Sequence, residues 1–199
     1  NATKTIYKNY NLKTNLKLEW NIISKIYEIA QRFEIKLYGD LQCSSQVGSV
    51  LKLKDFDVIF PTEREARIAL NNKDDGLEYL ARQLFARANC KNLILKLGSE
   101  GLISYYKRDN GFIESEHFPA LNENPVDVSG AGDTVVSYIA SGIVRKLSLI
   151  DCVKQANEAA GIAVGRFGTT TVSREEIQNK NNKNLKICQL NELIEQIKI

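Results

Sequence analysis

The sequence predicts an α/β domain, a mostly parallel sheet with helices on both faces. Two patterns alternate along the chain and carry that expectation: apolar residues at helical spacing, and short apolar runs closed by turn residues. A third observation marks the ligand end. The glycine-rich segment Val126-Asp127-Val128-Ser129-Gly130-Ala131-Gly132-Asp133-Thr134 opens an apolar helix. In open α/β sheets ligands lie beyond the carboxyl ends of the strands. The loops at Asp40, Pro61, Gly98 and Gly130 all follow strands or lead into helices, so one crevice can collect them.

Residues 1–16 show no period and read as loop. Leu18, Ile22, Ile23, Ile26, Ile29 and Ala30 recur at helical spacing and predict a helix to about Phe33. A short strand follows over 35–40, ending in the small-residue loop 42–48, and a second strand covers 57–60. Pro61 closes it. Thr62 with Glu65 forms a capping-box pattern that starts a helix to Leu70. After a turn at 72–76, Leu77, Leu80, Ala81, Leu84, Phe85 and Ala88 mark the next helix. Residues 92–97 read as a strand, and Gly98-Ser99-Glu100-Gly101 turns it into 102–106, a hairpin. A loop runs on to Pro125, then the glycine-rich segment opens a helix over 131–146. Ser148 with Asp151 caps a helix to about Val164, Gly165 and Gly168 bracket a turn, and Ser173 with Glu176 caps a short helix. Residues 180–199 read as a polar linker and a terminal helix.

Composition narrows the function classes. The chain has 199 residues, 43% hydrophobic and 26% charged, which suits one ordinary globular domain. A net charge of +3 without a basic stripe does not imply nucleic acid. No apolar run approaches a bilayer span, so no membrane is implied, and a cytoplasmic location is the default expectation. Cys43, Cys90, Cys152 and Cys188 have neither zinc nor disulfide-framework spacing. One histidine, His117, excludes a multi-histidine metal site; in its polar stretch it reads as a surface loop residue. Ser44 and Ser45 have no base implied nearby, and Cys43 reads as a small buried thiol.

Gly130-Ala131-Gly132-Asp133 is the segment fit for chemistry. Small residues let backbone N–H groups approach a phosphate, and the helix dipole favours the anion. A carboxylate in that first turn can take a proton from an attacking hydroxyl. The alternative is a helix start with glycines for packing and Asp133 set for the dipole. No Walker loop is present, and Val135 stands where a dinucleotide fingerprint needs its third glycine.

Residues 127–134 resemble the C-terminal signature of the ribokinase-like (PfkB) carbohydrate kinases. Asn157 through Ser173 resembles the kinase half of bifunctional ADP-heptose synthases, the heptose 7-phosphate kinases. Phe60-Pro61-Thr62-Glu63-Arg64-Glu65-Ala66 is similar to the family's Pro-Asn-x-x-Glu segment. Leu95-Lys96-Leu97-Gly98-Ser99-Glu100-Gly101 is similar to its Thr-x-Gly-x-x-Gly turn. The resemblance implies a ribokinase-like fold and ATP-dependent phosphorylation of a sugar or sugar phosphate. Asp133 would be the base, and the backbone of Gly130, Ala131, Gly132 and Asp133 the anion hole. ATP would meet Lys96, Gly98, Ser99, Gly101, Thr62 and Asn157, the last near the adenine. Glu65 would organise Mg2+ through water, and Asp127 and Ser129, with the turn near Gly168, match positions that ligate a monovalent cation such as K+.

Each role has a structural rival. The rival for Glu65 is the Thr62 capping box alone, for Gly98 and Gly101 a hairpin turn, and for Asn157 a polar place on a helix. Two departures stand out: Thr62 replaces the usual Asn, and Lys96 the usual Thr. Lys96 then reaches an ATP phosphate or points to solvent. The family's sugar-binding residues and lid are not recognisable, so the chain reads as a single kinase domain incomplete at its N-terminal side. It is expected to form a homodimer or to pair with the missing portion. Against the kinase stands one other class, a non-catalytic nucleotide-binding or interaction module that keeps the fold.

Overall fold

The computed structural model describes residues 16–41, 49–108 and 110–179. The loop bearing Cys43, Ser44 and Ser45, and the expected linker and helix over 180–199, lie outside the described residues.

The helices are α1 (Leu16–Arg32), α2 (Glu63–Leu70), α3 (Leu77–Ala88), α4 (Ala131–Val144) and α5 (Leu149–Ala163). The strands are β1 (Tyr38–Gly39), β2 (Val58–Ile59), β3 (Asn92–Lys96), β4 (Leu102–Lys107) and β5 (Ile113–Phe118). They form one sheet in the order β1-β2-β3-β4-β5. β1, β2 and β3 run parallel, with Tyr38 opposite Val58 and Val58 opposite Asn92. β4 turns back against β3, pairing Lys96 with Leu102, and β5 turns back against β4. The α/β architecture is therefore as expected, with a sheet that is mixed: two parallel pairings and two antiparallel ones.

β5 is the element the sequence hides. Its segment, Ile-Glu-Ser-Glu-His-Phe, fully buries only Phe118, half-buries Ile113 against the core and presents charged and polar side chains between them. At a sheet edge such charges keep other strands from pairing. His117 is accordingly on a strand rather than in a loop, exposed, with a ring nitrogen 2.9 Å from the Glu100 carbonyl oxygen.

The period-two alternation of the strands divides the core. Leu93, Leu95, Ile59 and Tyr105 face one way and pack with Ala66 of α2 and with Ala81, Leu84 and Phe85 of α3. Ile94, Val58, Tyr38 and Phe118 face the other way, against Val135, Val136 and Ile139 of α4 and Val153 of α5. Helices thus cover both faces, the condition under which β1 and β2 can be apolar at every position. Two of the three expected capping boxes form in full, while Ser148 caps α5 by accepting from the Asp151 N–H and its hydroxyl, not its N–H, meets the Asp151 carboxylate. The Thr62 N–H donates to Glu65 Oε2 at 2.8 Å, and the Glu65 N–H to Thr62 Oγ1 at 3.2 Å. Ser173 and Glu176 make the same reciprocal pair. Among the described residues no helix is long and apolar enough to cross a membrane.

Candidate functional site

The three parallel strands end on one side, and each delivers a polar residue there. The chain leaves β1 at Asp40. Beyond β2 it passes Phe60, whose N–H donates to the Gly39 carbonyl at 2.9 Å, and reaches Thr62 at the cap of α2. β3 finishes at Lys96, whose own N–H donates to the Pro61 carbonyl at 2.8 Å, so that Thr62 and Lys96 bridge in parallel. These bonds extend the ladder by a residue or two and fix Asp40, Thr62 and Lys96 side by side.

The Lys96 ammonium spans that row. It donates to both carboxylate oxygens of Asp40, at 2.7 and 2.8 Å, with only 17% of one side chain and 14% of the other exposed. Burial pushes the Asp40 carboxyl above its ordinary range. The Lys96 charge and hydrogen bond pull it back, and the negative charges of Glu65 and Asp133 push it further up. Glu65, itself buried beneath Thr62, and Asp133 of α4 therefore belong to the same electrostatic cluster. Asp40 was not among the sequence-derived site residues.

α4 closes the crevice. Gly130, at its cap, has φ 78°, and a Cβ there would stand 2.7 Å from the Thr169 methyl group. The Thr134 N–H and hydroxyl both return to the Gly130 carbonyl, at 2.9 and 3.0 Å. Amides in the first turn of a helix have no partner four residues back. That of Ala131 bends back to the Val128 carbonyl at 3.2 Å, so the amide best placed for a ligand begins with Gly132. A Cβ on Gly132 would lie 3.3 Å from Lys96 Nζ and 3.5 Å from Asp40 Oδ2. The helix start, the ammonium and the Asp40 carboxylate are thus in contact range. A positive helix end and a lysine together suit an anion such as phosphate.

The remaining candidates divide. Gly98 and Ser99 are exposed in the 3-10 turn after β3, and nothing lies within 4 Å of a Cβ built on Gly98. Gly101, in the same turn, is packed: its Cβ would stand 2.1 Å from the Phe118 carbonyl oxygen. Asn157 is buried on α5 and donates its amide to the Pro119 carbonyl at 2.8 Å, clasping the segment after β5. Asp127 joins two loops, accepting from the Ser129 N–H at 2.8 Å and the Gly168 N–H at 3.0 Å. Those backbone donors hold its carboxyl below the usual range.

The pfkB family carbohydrate kinase pattern matches residues 38–176, which include every part of this crevice. The chain belongs to that family. It is 34% identical over 129 residues to the bifunctional protein HldE of Geotalea uraniireducens, covering 63% of this chain and 26% of that protein. With HldE of Trichlorobacter lovleyi it shares 34% over 160 residues, 79% of this chain and 31% of that one. The chain therefore spans about a quarter to a third of the curated relatives it matches. Among solved structures, phosphofructokinase-2 from Escherichia coli in complex with potassium superposes with a TM-score of 0.70 at 17% identity, covering 88% of this chain and 54% of that one. Ribokinase from Thermotoga maritima gives 0.64 at 24%, covering 85% and 61%. These likenesses establish the ribokinase-like fold for the pfkB chain.

Proposed function

We propose that this chain carries the nucleotide and chemistry half of an ATP-dependent kinase acting on a sugar or sugar phosphate. The observation that carries the proposal is the meeting of Lys96, Asp40 and Glu65 with the start of α4 at Asp133, beyond the carboxyl ends of the parallel strands. The sugar hydroxyl oxygen bonds to the γ-phosphorus as the bond from that phosphorus to the β–γ bridging oxygen breaks. The hydroxyl proton passes to the Asp133 carboxylate, and ADP departs. The backbone amides of Gly132 and Asp133 face the developing negative charge, and Lys96 stands beside them. The open turn at Gly98 and Ser99 receives the nucleotide, with Asn157 and Gly101 holding the wall behind it.

Among the described residues no three acidic, His or Cys side chains are grouped to hold a metal ion by themselves. Mg2+ keeps several waters and arrives with the phosphates, and it takes oxygen donors such as the Asp40, Glu65 and Asp133 carboxylates that act on one another here. Glu65 is the residue that would hold it through water, and the ion would neutralise phosphate charge. Asp127 and Ser129, with the turn at Gly168, are assigned to a monovalent cation. A heptose 7-phosphate is the substrate suggested by the resemblance over residues 157–173, and dependence on ATP makes the cytoplasm the working compartment.

The test is Asp133→Asn in the full-length protein. Loss of a general base lowers kcat by about 10²- to 10⁴-fold. ATP binding, followed by calorimetry, is expected to survive. Turnover near that of wild type would sink the assignment of Asp133. Wild-type protein that binds ATP-Mg2+ but releases ADP with no member of a panel of sugars and sugar phosphates would leave the non-catalytic module in its place.

A further inference from the structure

The Lys96–Asp40 pair joins residues 56 positions apart and has no counterpart in any sequence motif read above. Its surroundings give it a direction. Lys96 pairs with Asp40, and the negative charges of Glu65 and Asp133 reach that same carboxylate. A nucleotide phosphate approaching Gly132 from such a cluster would be repelled unless a cation stood at the point of entry. Lys96 Nζ stands there, 3.3 Å from the Gly132 Cβ position. An ammonium has three donors. Asp40 takes two of them, at 2.7 and 2.8 Å, which fixes the flexible four-carbon stem and leaves one for a phosphate oxygen.

We propose that Asp40 is a positioning residue, holding the Lys96 ammonium at the start of α4, where it takes up the terminal phosphate of the nucleotide. The proposal rests on the kinase reading and names how that site tells a triphosphate from a diphosphate. Contact with the terminal phosphate favours ATP over ADP. An ammonium tethered by its own carboxylate also acts at a defined point rather than sampling the crevice.

Calorimetry of the full-length protein with ATP-Mg2+ and with ADP-Mg2+ tests it. Lys96→Met is expected to weaken ATP by about tenfold or more while leaving ADP nearly unchanged, a loss of roughly 1.4 kcal/mol confined to the triphosphate. Asp40→Asn is expected to lower kcat about tenfold with the KM for sugar unchanged, and Asp40→Glu to recover part of it. The double variant decides whether Asp40 works through Lys96: in the Lys96→Met background, Asp40→Asn should then change kcat by less than about twofold. Equal losses for ATP and ADP in Lys96→Met overturn the phosphate contact. Additive losses in the double variant overturn the positioning role. Thermal unfolding of each variant identifies misfolding, and the doubly substituted protein, with both charges removed, serves if a single variant does not fold. Wild-type protein that binds neither nucleotide fails the kinase reading itself, a result distinct from either of these.

Discussion

Asp40 leaves the carboxyl end of β1, and Asp57 enters the amino end of β2. Their side chains are almost equally buried, 14% and 16% exposed. Their surroundings act in opposite directions. Burial alone would raise the Asp57 carboxyl. The Lys91 hydrogen bond at 2.8 Å, the Leu37 N–H at 2.9 Å and the charges of Lys91 and Lys36 outweigh it and hold the group below its usual range. At Asp40 one lysine is set against burial and two further carboxylates, and the group ends above its usual range. At the amino end Asp57 is paired with Lys36 and Lys91, and Arg108 with Glu114. A cavity of about 630 Å³ opens there, yet its Asp57 and Lys91 bind each other and its Asn89 binds Asp55 at 2.6 Å. At the carboxyl end Lys96 is the cation set against Asp40, and the charges of Glu65 and Asp133 still raise that carboxyl. A carboxyl raised by its neighbours in a cleft marks function better than cavity size does.

The same division runs through one turn, and there the largest effect on stability is expected. Gly101, at φ 92°, faces the Phe118 carbonyl and the Ala120 nitrogen, so a methyl group would meet backbone on both counts. Gly101→Ala should destabilise the protein by on the order of 3 kcal/mol, because strained φ and displaced β5 backbone add. Denaturant titration would measure it, and a loss under about 1 kcal/mol would break the assignment of Gly101 to the scaffold. Asp57→Ala comes next, at about 2 kcal/mol, since the Leu37 N–H and two lysines lose their acceptor. Its ATP affinity should match wild type. A fall in affinity would mean that the two ends of the sheet are coupled.

Gly98→Ala sharpens the contrast with Gly101. Its φ of 63° is left-handed, but a side chain there meets nothing within 4 Å. The cost in stability is about 1 kcal/mol. The loss should instead fall on nucleotide affinity, because the new methyl group projects into the space assigned to ATP. Unchanged ATP affinity would remove Gly98 from the nucleotide subsite.

What was legible in the sequence is what local spacing controls. Thr62 with Glu65, and Ser173 with Glu176, were readable because a capping box closes within one helical turn. Lys96, Gly98 and Gly132 were readable as parts of short motifs. Asp40 was not, because a lone Asp after an apolar run carries no spacing signal, and its partner arrives only when β3 is laid beside β2 and β1. β5 was missed for another physical reason: an edge strand with one buried residue has no apolar alternation to detect. The β3–β4 hairpin was readable from the turn at 98–101, and only its extension by β5 was not. The bent-back amide of Ala131, which narrows the anion site, is a detail of turn geometry that no residue type announces.

The smallest effect tests the opening contrast most directly, through its sign. The folded-state pKa of Asp57 is lowered. Its contribution is therefore fully present above the unfolded value of about 3.9 and is lost as pH falls through the folded one. The folded-state pKa of Asp40 is raised, so its contribution is greatest below about pH 3.9 and is lost as pH rises through the folded value. Asn substitution removes each titration. Between pH 4 and 7, Asp40→Asn should gain stability relative to wild type as pH rises, while below pH 5 Asp57→Asn should gain relative to wild type as pH falls. Urea unfolding of the three proteins across pH 3 to 7 would trace the two differences. Slopes of the same sign would mean that Lys96 compensates Asp40 as fully as Lys91 and Leu37 compensate Asp57. The contrast between the two ends of the sheet would then be gone.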